Sequence, residues 1–292
     1  MKKLFFTVLL LPAFVSLALG QTINTQRGSG SQPAQEDAER RRSAFEELQE
    51  AARLYRNGDF AGAQKHSERA LEIDGAQPTA PFFIARSIHA QYRVGIFTPS
   101  NISKAREAIA AYQRVLDRWP DNEEAFKAIA FLYGAIKEDE KQLEWVKRRA
   151  LDSIVSAEKR AEAHVFLASK DWDCSFRITE EKENQYTLVG AKGEKTVRFK
   201  MPQKREDFDK AILCANRGLE KVETAIKLNP NDEKAWGYKA ALLYEARKLA
   251  EMEGKLKKAR RFWRKGEEAR KRRSTLTKNR EAEPFQYPEA EP

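Results

Sequence analysis

Small residues recur at the centres of helix-like stretches along this chain, at Ala51, Ala85, Ala130, Ala168 and Ala240. The first gap is 34 residues, and the later gaps of 45, 38 and 72 exceed it by 11, 4 and 38. One repeated unit with insertions accounts for all four. Such a period restricts the fold more than any other feature, because so short a unit cannot bury its apolar face alone and must stack on its neighbours.

The residues around each small position read as a helix pair. In "IKLNPNDEKAWGYKAALLY", residues 226–244, an apolar helix stops at Asn229-Pro230. The proline ring removes a donor and clashes with the preceding turn. Trp236 opens the next helix, Ala240 is the small contact and Leu243 the following large one. The first unit offers Leu54, a Gly58-Asp59 turn, Ala63, Ala70 and Leu71, and closes on Gly75. The second has Ile84, Ala85 and Ile88, then Ala108, Tyr112, Leu116 and Pro120, with its excess length in "YRVGIFTPSNIS". Phe126, Ile129, Ala130 and Tyr133 open the third, whose second helix around Leu143 to Leu151 diverges. The fourth pairs Val165, Leu167 and Ala168 with Leu219, Val222, Ala225 and Ile226 across a long insertion. Ala259, Phe262, Trp263 and Gly266 close the fifth, spaced three and four apart as one inward helix face requires.

These five units resemble the tetratricopeptide repeat, in which small residues at helix crossings let paired helices approach and large ones fill the remaining space. The resemblance covers residues 39–273. It implies an all-α fold: a right-handed α-solenoid of antiparallel helix pairs with a concave inner surface. It further implies a groove lined by outward positions of each first helix. Here those are Leu48, Ala52, Tyr55 and Phe82, then Arg86, His89, Lys127, Phe131 and Tyr244. The implied ligand is a protein or peptide. The family's carboxylate clamp uses Lys and Asn at these places and is absent, so a free C-terminal carboxylate is not the expected ligand.

Before the first unit, Lys2-Lys3 precede an apolar stretch from Leu4 to Leu19, interrupted by Pro12, with the small residues Ala18 and Gly20 at its end before the polar Gln21. This pattern predicts a secretory signal peptide over residues 1–20, cut after Gly20, and a periplasmic or secreted location. The competing reading, a retained membrane anchor, needs a longer apolar run. Residues 21–38 are rich in Gly, Ser and Gln and read as a flexible linker.

Within the fourth unit, residues 172–205 change from helical to alternating periodicity. Phe176 and Ile178, Tyr186 and Leu188, and Val197 and Phe199 alternate, with a turn at Gly190 to Gly193. A small β-hairpin or three-stranded flap is expected, either as a binding element or as a cover for an exposed helix groove. Cys174 and Cys214 flank most of it. In an oxidising compartment they can pair, closing a loop of about 40 residues worth roughly 4 kcal/mol of chain entropy; otherwise they are two buried thiols acting as small hydrophobes.

Charge is concentrated near one end. Residues 255–280 hold thirteen Lys or Arg against two Glu, a local +11 in a chain whose total is +10. Either these side chains are the solvated face of a terminal capping helix, or Lys257, Lys258, Arg260, Arg261, Arg264 and Lys265 form a patch for an anionic lipid, acidic protein or envelope polymer. Nucleic acid ranks last among such partners for an exported protein. Residues 274–292 are expected to be a disordered tail that ends in an acidic stretch.

No metalloprotease, phosphate-loop, dinucleotide or nucleophile-elbow pattern occurs, and His66, His89 and His164 are far apart in the chain. The expectation is therefore a scaffold without a cofactor, not an enzyme. A second reading is a peripheral envelope protein that uses its basic helix to sit on anionic lipid or polymer.

Overall fold

The computed structural model describes residues 32–282. Among them the chain forms ten helices in five consecutive pairs. These are α1 (Gln32–Arg56) with α2 (Phe60–Ile73), α3 (Ala80–Gln91) with α4 (Pro99–Arg118), α5 (Glu123–Ala135) with α6 (Asp139–Leu151), α7 (Ala157–Thr179) with α8 (Arg205–Leu228), and α9 (Glu233–Met252) with α10 (Leu256–Ala282). Each helix packs on the one before and the one after it. This is the tetratricopeptide-like, all-α solenoid that the period implies.

Local chemistry sets the boundaries. Asp59 caps α2 by accepting from the amide of Gly62 at 2.8 Å, Asn122 caps α5 through Ala125 at 2.9 Å, and Asp232 caps α9 through Lys234 at 2.8 Å. Each cap satisfies a donor that the first helical turn leaves without a partner. The turn at Asn229-Pro230 is tied down by Trp236, whose indole N–H donates to the Pro230 carbonyl at 2.8 Å. Gly58 and Gly254 take φ of +82° and +72° in the turns after α1 and α9, a conformation that glycine adopts without a Cβ penalty.

Four of the five periodic alanines lie in the packed interior between helices. Ala51, Ala85 and Ala168 are fully buried and Ala240 is buried. Ala130 is half-buried, with its carbonyl accepting from the Gln142 amide at 2.7 Å. Large residues fill the space between them: Ile88, Tyr112, Ile129 and Leu132 in the second and third pairs, Val222 and Leu242 in the fourth and fifth. Burying each such side chain contributes about 1.5–3 kcal/mol.

Three boundaries differ from expectation. The linker expected over residues 21–38 gives way to helix at Gln32. Pro33 is tolerated in a first turn, the following Ala, Gln and Glu favour helix, and extension from the packed part of α1 adds one backbone bond per residue. The tail expected from residue 274 stays helical to Ala282. Leu276 is buried there, Thr277 donates to Glu233 at 2.9 Å, and Arg280 pairs with Glu233 at 3.1 Å. The flap expected over 172–205 is a two-stranded antiparallel hairpin, β1 (Gln185–Val189) with β2 (Lys195–Phe199). Residues 172–179 belong to α7 instead. Asp171, Ser175, Ile178 and Thr179 are buried at helical spacing, and the rings of Trp172 and Phe176, one turn apart, lie 4.8 Å from each other. The alternation of Phe176 with Ile178 was therefore a coincidence of composition. The expected signal peptide, residues 21–31 of the expected linker and residues 283–292 of the expected tail lie outside the described residues.

Candidate functional site

The first helices of successive pairs lie side by side and present one continuous surface. Arg86 of α3 stands 5.4 Å from the centre of the Tyr55 ring on α1 and 5.8 Å from that of Phe82, and its Nε lies 3.5 Å from Glu124 of α5. One turn on, His89 packs 5.8 Å from Phe131 of α5. Lys127, next to Phe131 on that face, reaches Glu162 of α7 at 3.4 Å. Tyr55, Phe82, Arg86, His89, Lys127 and Phe131 thus form one strip across α1, α3 and α5, which the Lys127–Glu162 pair extends to α7. Within it Phe131 is 47% exposed.

Tyr112 was not foreseen as part of this surface because it lies on a second helix. Its ring nevertheless supports the strip from below, 6.3 Å from Phe82 and 5.8 Å from His89, with a 3.3 Å hydrogen-bond contact between its hydroxyl and His89 Nδ1. Burial raises the Tyr112 pKa, and burial lowers that of His89 with Glu124 opposing. Both groups are neutral at neutral pH, so the strip offers aromatic faces, the Arg86 guanidinium, the Lys127 ammonium and an uncharged imidazole.

Beside Lys127 and Phe131 the surface opens into a cavity of about 320 Å³ between α5 and α7, floored by α6. Its walls are Phe126, Phe131 and Phe166, with Ala130, Val146 and Ala163 beneath. Arg149 closes one side. Its guanidinium lies 3.4 Å from the centre of the Phe126 ring and donates to Glu123 at 2.9 Å, and Trp145 stacks on Phe126 from behind at 5.4 Å. Burial pushes Glu123 up, but the Arg149 and Lys159 bonds prevail and hold its carboxyl low. The rim charges are therefore internally compensated, and the free capacity of the cavity is apolar. It is at the small end of the range for ligand sites and fits a single large side chain. Phe126 could be read from the repeat pattern as a core aromatic; the gap that Ala130 and Ala163 leave in front of it could not.

Two residues expected in the groove lie elsewhere. Leu48 is buried against Ala70 and Phe83. Tyr244 packs between α9 and α10, where its hydroxyl donates to Glu267 at 2.7 Å and its ring lies 5.5 Å from Trp263. The α10 helix covers this part of α9. Trp263, expected to face inward, is 48% exposed.

The hairpin is held against α9. Arg198 reaches Glu251 at 3.4 Å, and Lys248 lies 5.1 Å from the centre of the Phe199 ring while pairing with Glu245 at 2.7 Å and with Glu180. Cys174 of α7 and Cys214 of α8 are joined in a disulfide, tying together the two helices that carry the insertion. Lys257, Lys258, Arg260, Arg261, Arg264 and Lys265 are all exposed on α10. Among the described residues only Arg264 of these six meets a carboxylate, Glu268 at 3.9 Å. Also among the described residues, no three His, Cys, Asp or Glu side chains are placed to hold a metal ion, and no helix is long and apolar enough to cross a membrane.

No family model and no curated protein matches the chain. Solved structures do. MamA 41-end from Desulfovibrio magneticus RS-1 is 14% identical, with 78% of this chain and 96% of that one covered and a TM-score of 0.39. YrrB, described as a TPR protein with an unusual peptide-binding site, is 12% identical over 87% of this chain and 98% of its own, at 0.38. The TPR2AB domain of yeast Sti1, in a pHSP90 complex, is 15% identical over 80% and 97%, at 0.33. The helix-pair assignment itself rests on the contacts described above.

Proposed function

We propose that this chain is an exported, non-enzymatic scaffold that binds an extended segment of a protein partner along the surface of α1, α3, α5 and α7. The observation that carries this is the strip from Tyr55 through Arg86 and His89 to Phe131, which ends in the cavity between α5 and α7. A row of aromatic faces with an apolar pocket at one end suits an extended ligand that inserts one large side chain and lays the rest across the strip. Export is inferred from the signal-peptide pattern at residues 1–20, and the Cys174–Cys214 pair suits an oxidising compartment. The test is affinity capture from an envelope extract at low and high salt, comparing the wild-type chain with a Tyr55→Ala, Phe82→Ala, Phe131→Ala variant of matched helix content. Salt-resistant, stoichiometric recovery of a protein by the wild type alone is expected. Equal recovery by the variant would remove the groove assignment.

A second reading has its own observation: the exposed cationic face of α10. Attraction of such a face to anionic lipid or polymer is screened within about 8 Å at physiological salt, so that association should collapse as salt is raised. Co-sedimentation with anionic vesicles, with and without charge-neutralising substitutions at Lys257, Arg260 and Arg261, decides it. Unaltered sedimentation of the neutralised variant would sink this reading.

A further inference from the structure

We propose that the cavity between α5 and α7 is also the seat of a segment of this same chain, residues 283–292, with Phe285 as the inserted side chain. The inference rests on the groove reading and adds its regulation: partner and tail compete for one pocket.

Three observations support this occupant. The first is position. Arg273 and Arg280 of α10 line a depression together with Glu158 and Glu162 of α7, and Glu162 lines the apolar cavity as well. The pairing of Arg280 with Glu233 fixes this end of α10 beside the first helices. Phe285 follows Ala282 by three residues, which at 3.3–3.6 Å each gives a reach of about 10 Å before the side chain is counted. A segment leaving α10 at Ala282 therefore starts from a depression that shares Glu162 with the cavity.

The second is the sequence of the segment, "EPFQYPEAEP". Phe285 and Tyr287 lie between Pro284 and Pro288, and proline holds the chain extended with no need for backbone partners. A proline-bracketed aromatic pair has little chain freedom to lose on entering a groove with one apolar pocket and an aromatic floor.

The third is charge. Beyond the cavity, away from α10, the strip carries Arg86 on α3. Neighbouring packed helices lie 8–10 Å apart, and four extended residues span about 12 Å, so a chain with Phe285 in the cavity brings Glu289 over Arg86. Glu289 there competes with Glu124, whose pairing with Arg86 at 3.5 Å is exposed and correspondingly weak.

The test uses the full chain and a fluorescently labelled synthetic peptide of residues 281–292, followed by anisotropy. In the wild-type chain the tethered segment competes at high effective concentration, so the peptide should bind about tenfold or more weakly than to a Phe285→Ala, Tyr287→Ala chain. A further Phe131→Ala in that opened chain should abolish binding, whereas Phe131→Leu should retain part of it. Equal peptide affinity for the wild-type and opened chains would overturn the tethered docking, and a continued dependence on Phe131 would then leave the groove reading standing. No binding to either chain would also overturn the proposal, and the groove reading would be judged separately by the partner-capture experiment.

Discussion

Lys248 and Glu245, one turn apart on α9, form an ion pair of 2.7 Å while only 8% and 2% exposed. The pair is not isolated. Thr179 donates to the other Glu245 oxygen at 2.6 Å, and Lys248 also reaches Glu180 at the end of α7. Removing two charges from water costs several kcal/mol each, and only a fully partnered arrangement offsets that. Such a knot fixes where the hairpin leaves α7 and how it meets α9. Lys248→Ala alone should therefore destabilise the fold by about 3–5 kcal/mol, because Glu245 is left charged and buried. The joint change Glu245→Leu, Lys248→Met should cost markedly less. Urea titration of the two variants checks the order, and a double change worse than the single one would contradict it.

The disulfide supports the same region from the other side. Cys174 and Cys214 are 40 residues apart, and the loop they close contains the whole hairpin. In the chain-entropy account a closure of that size stabilises by about 4 kcal/mol, with strain subtracting from it. Reduction, or Cys174→Ser with Cys214→Ser, should lower the melting temperature by several degrees while leaving helix content at low temperature intact. Mass spectrometry after alkylation, with and without prior reduction, checks the pairing. Two thiols that alkylate without reduction in freshly purified protein would show that the bond does not form.

The helix pairs were legible because their signal is repeated: Ala51, Ala85, Ala168 and Ala240 each mark a crossing where a larger side chain would hold two helices apart. The strip was legible as far as the repeat fixes which positions of a first helix face outward, which placed Tyr55, Arg86, His89 and Phe131 together. Its failures have two physical sources. Tyr244 and Trp263 depend on how α10 packs on α9, which the repeat pattern of the first helices does not specify. The cavity depends on what is missing between Phe126 and Phe166, and a void left by two alanines has no periodicity to read. Alternation over a few residues misled at Phe176 and Ile178 because residues two apart on a helix can both touch core when neighbouring elements surround it.

Gly218 of α8 shows how tightly the fourth and fifth pairs meet. A Cβ there would lie 2.6 Å from a Leu242 methyl and 3.2 Å from the Asp171 Cβ. Leu242 is fully buried and has little room to yield. The helix-propensity gain of about 1 kcal/mol from Gly218→Ala is thus set against an overpacking cost of about 1–3 kcal/mol. Net destabilisation is expected, larger for Gly218→Val. Gly237 is the control, because a Cβ there meets only the flexible Arg273 side chain at 3.3 Å. Gly237→Ala should be neutral or stabilising in the same denaturation series. Equal effects at the two positions would mean that the α8–α9 contact is looser than described.

Acid should loosen the fold before its carboxylates protonate. Burial lowers the pKa of His89, with Glu124 opposing, and burial followed by Arg160 lowers that of His164, whose Nδ1 is buried without a hydrogen-bond partner among the described residues. Unfolded chains bind these protons near pH 6.5 and the folded chain does so only lower, so U carries more protons in the intervening range. Stability is then fully present above about pH 6.5 and is lost as pH falls through the depressed folded values. Glu123 and Glu138, held low by cationic partners, act in the same direction only below about pH 4.5. Thermal midpoints should be flat from about pH 8 to 7 and decline between about pH 6.5 and 5. A His89→Gln, His164→Gln variant should lose that decline while keeping the steeper one at lower pH. A wild-type midpoint that does not move across that range would contradict the burial of both imidazoles.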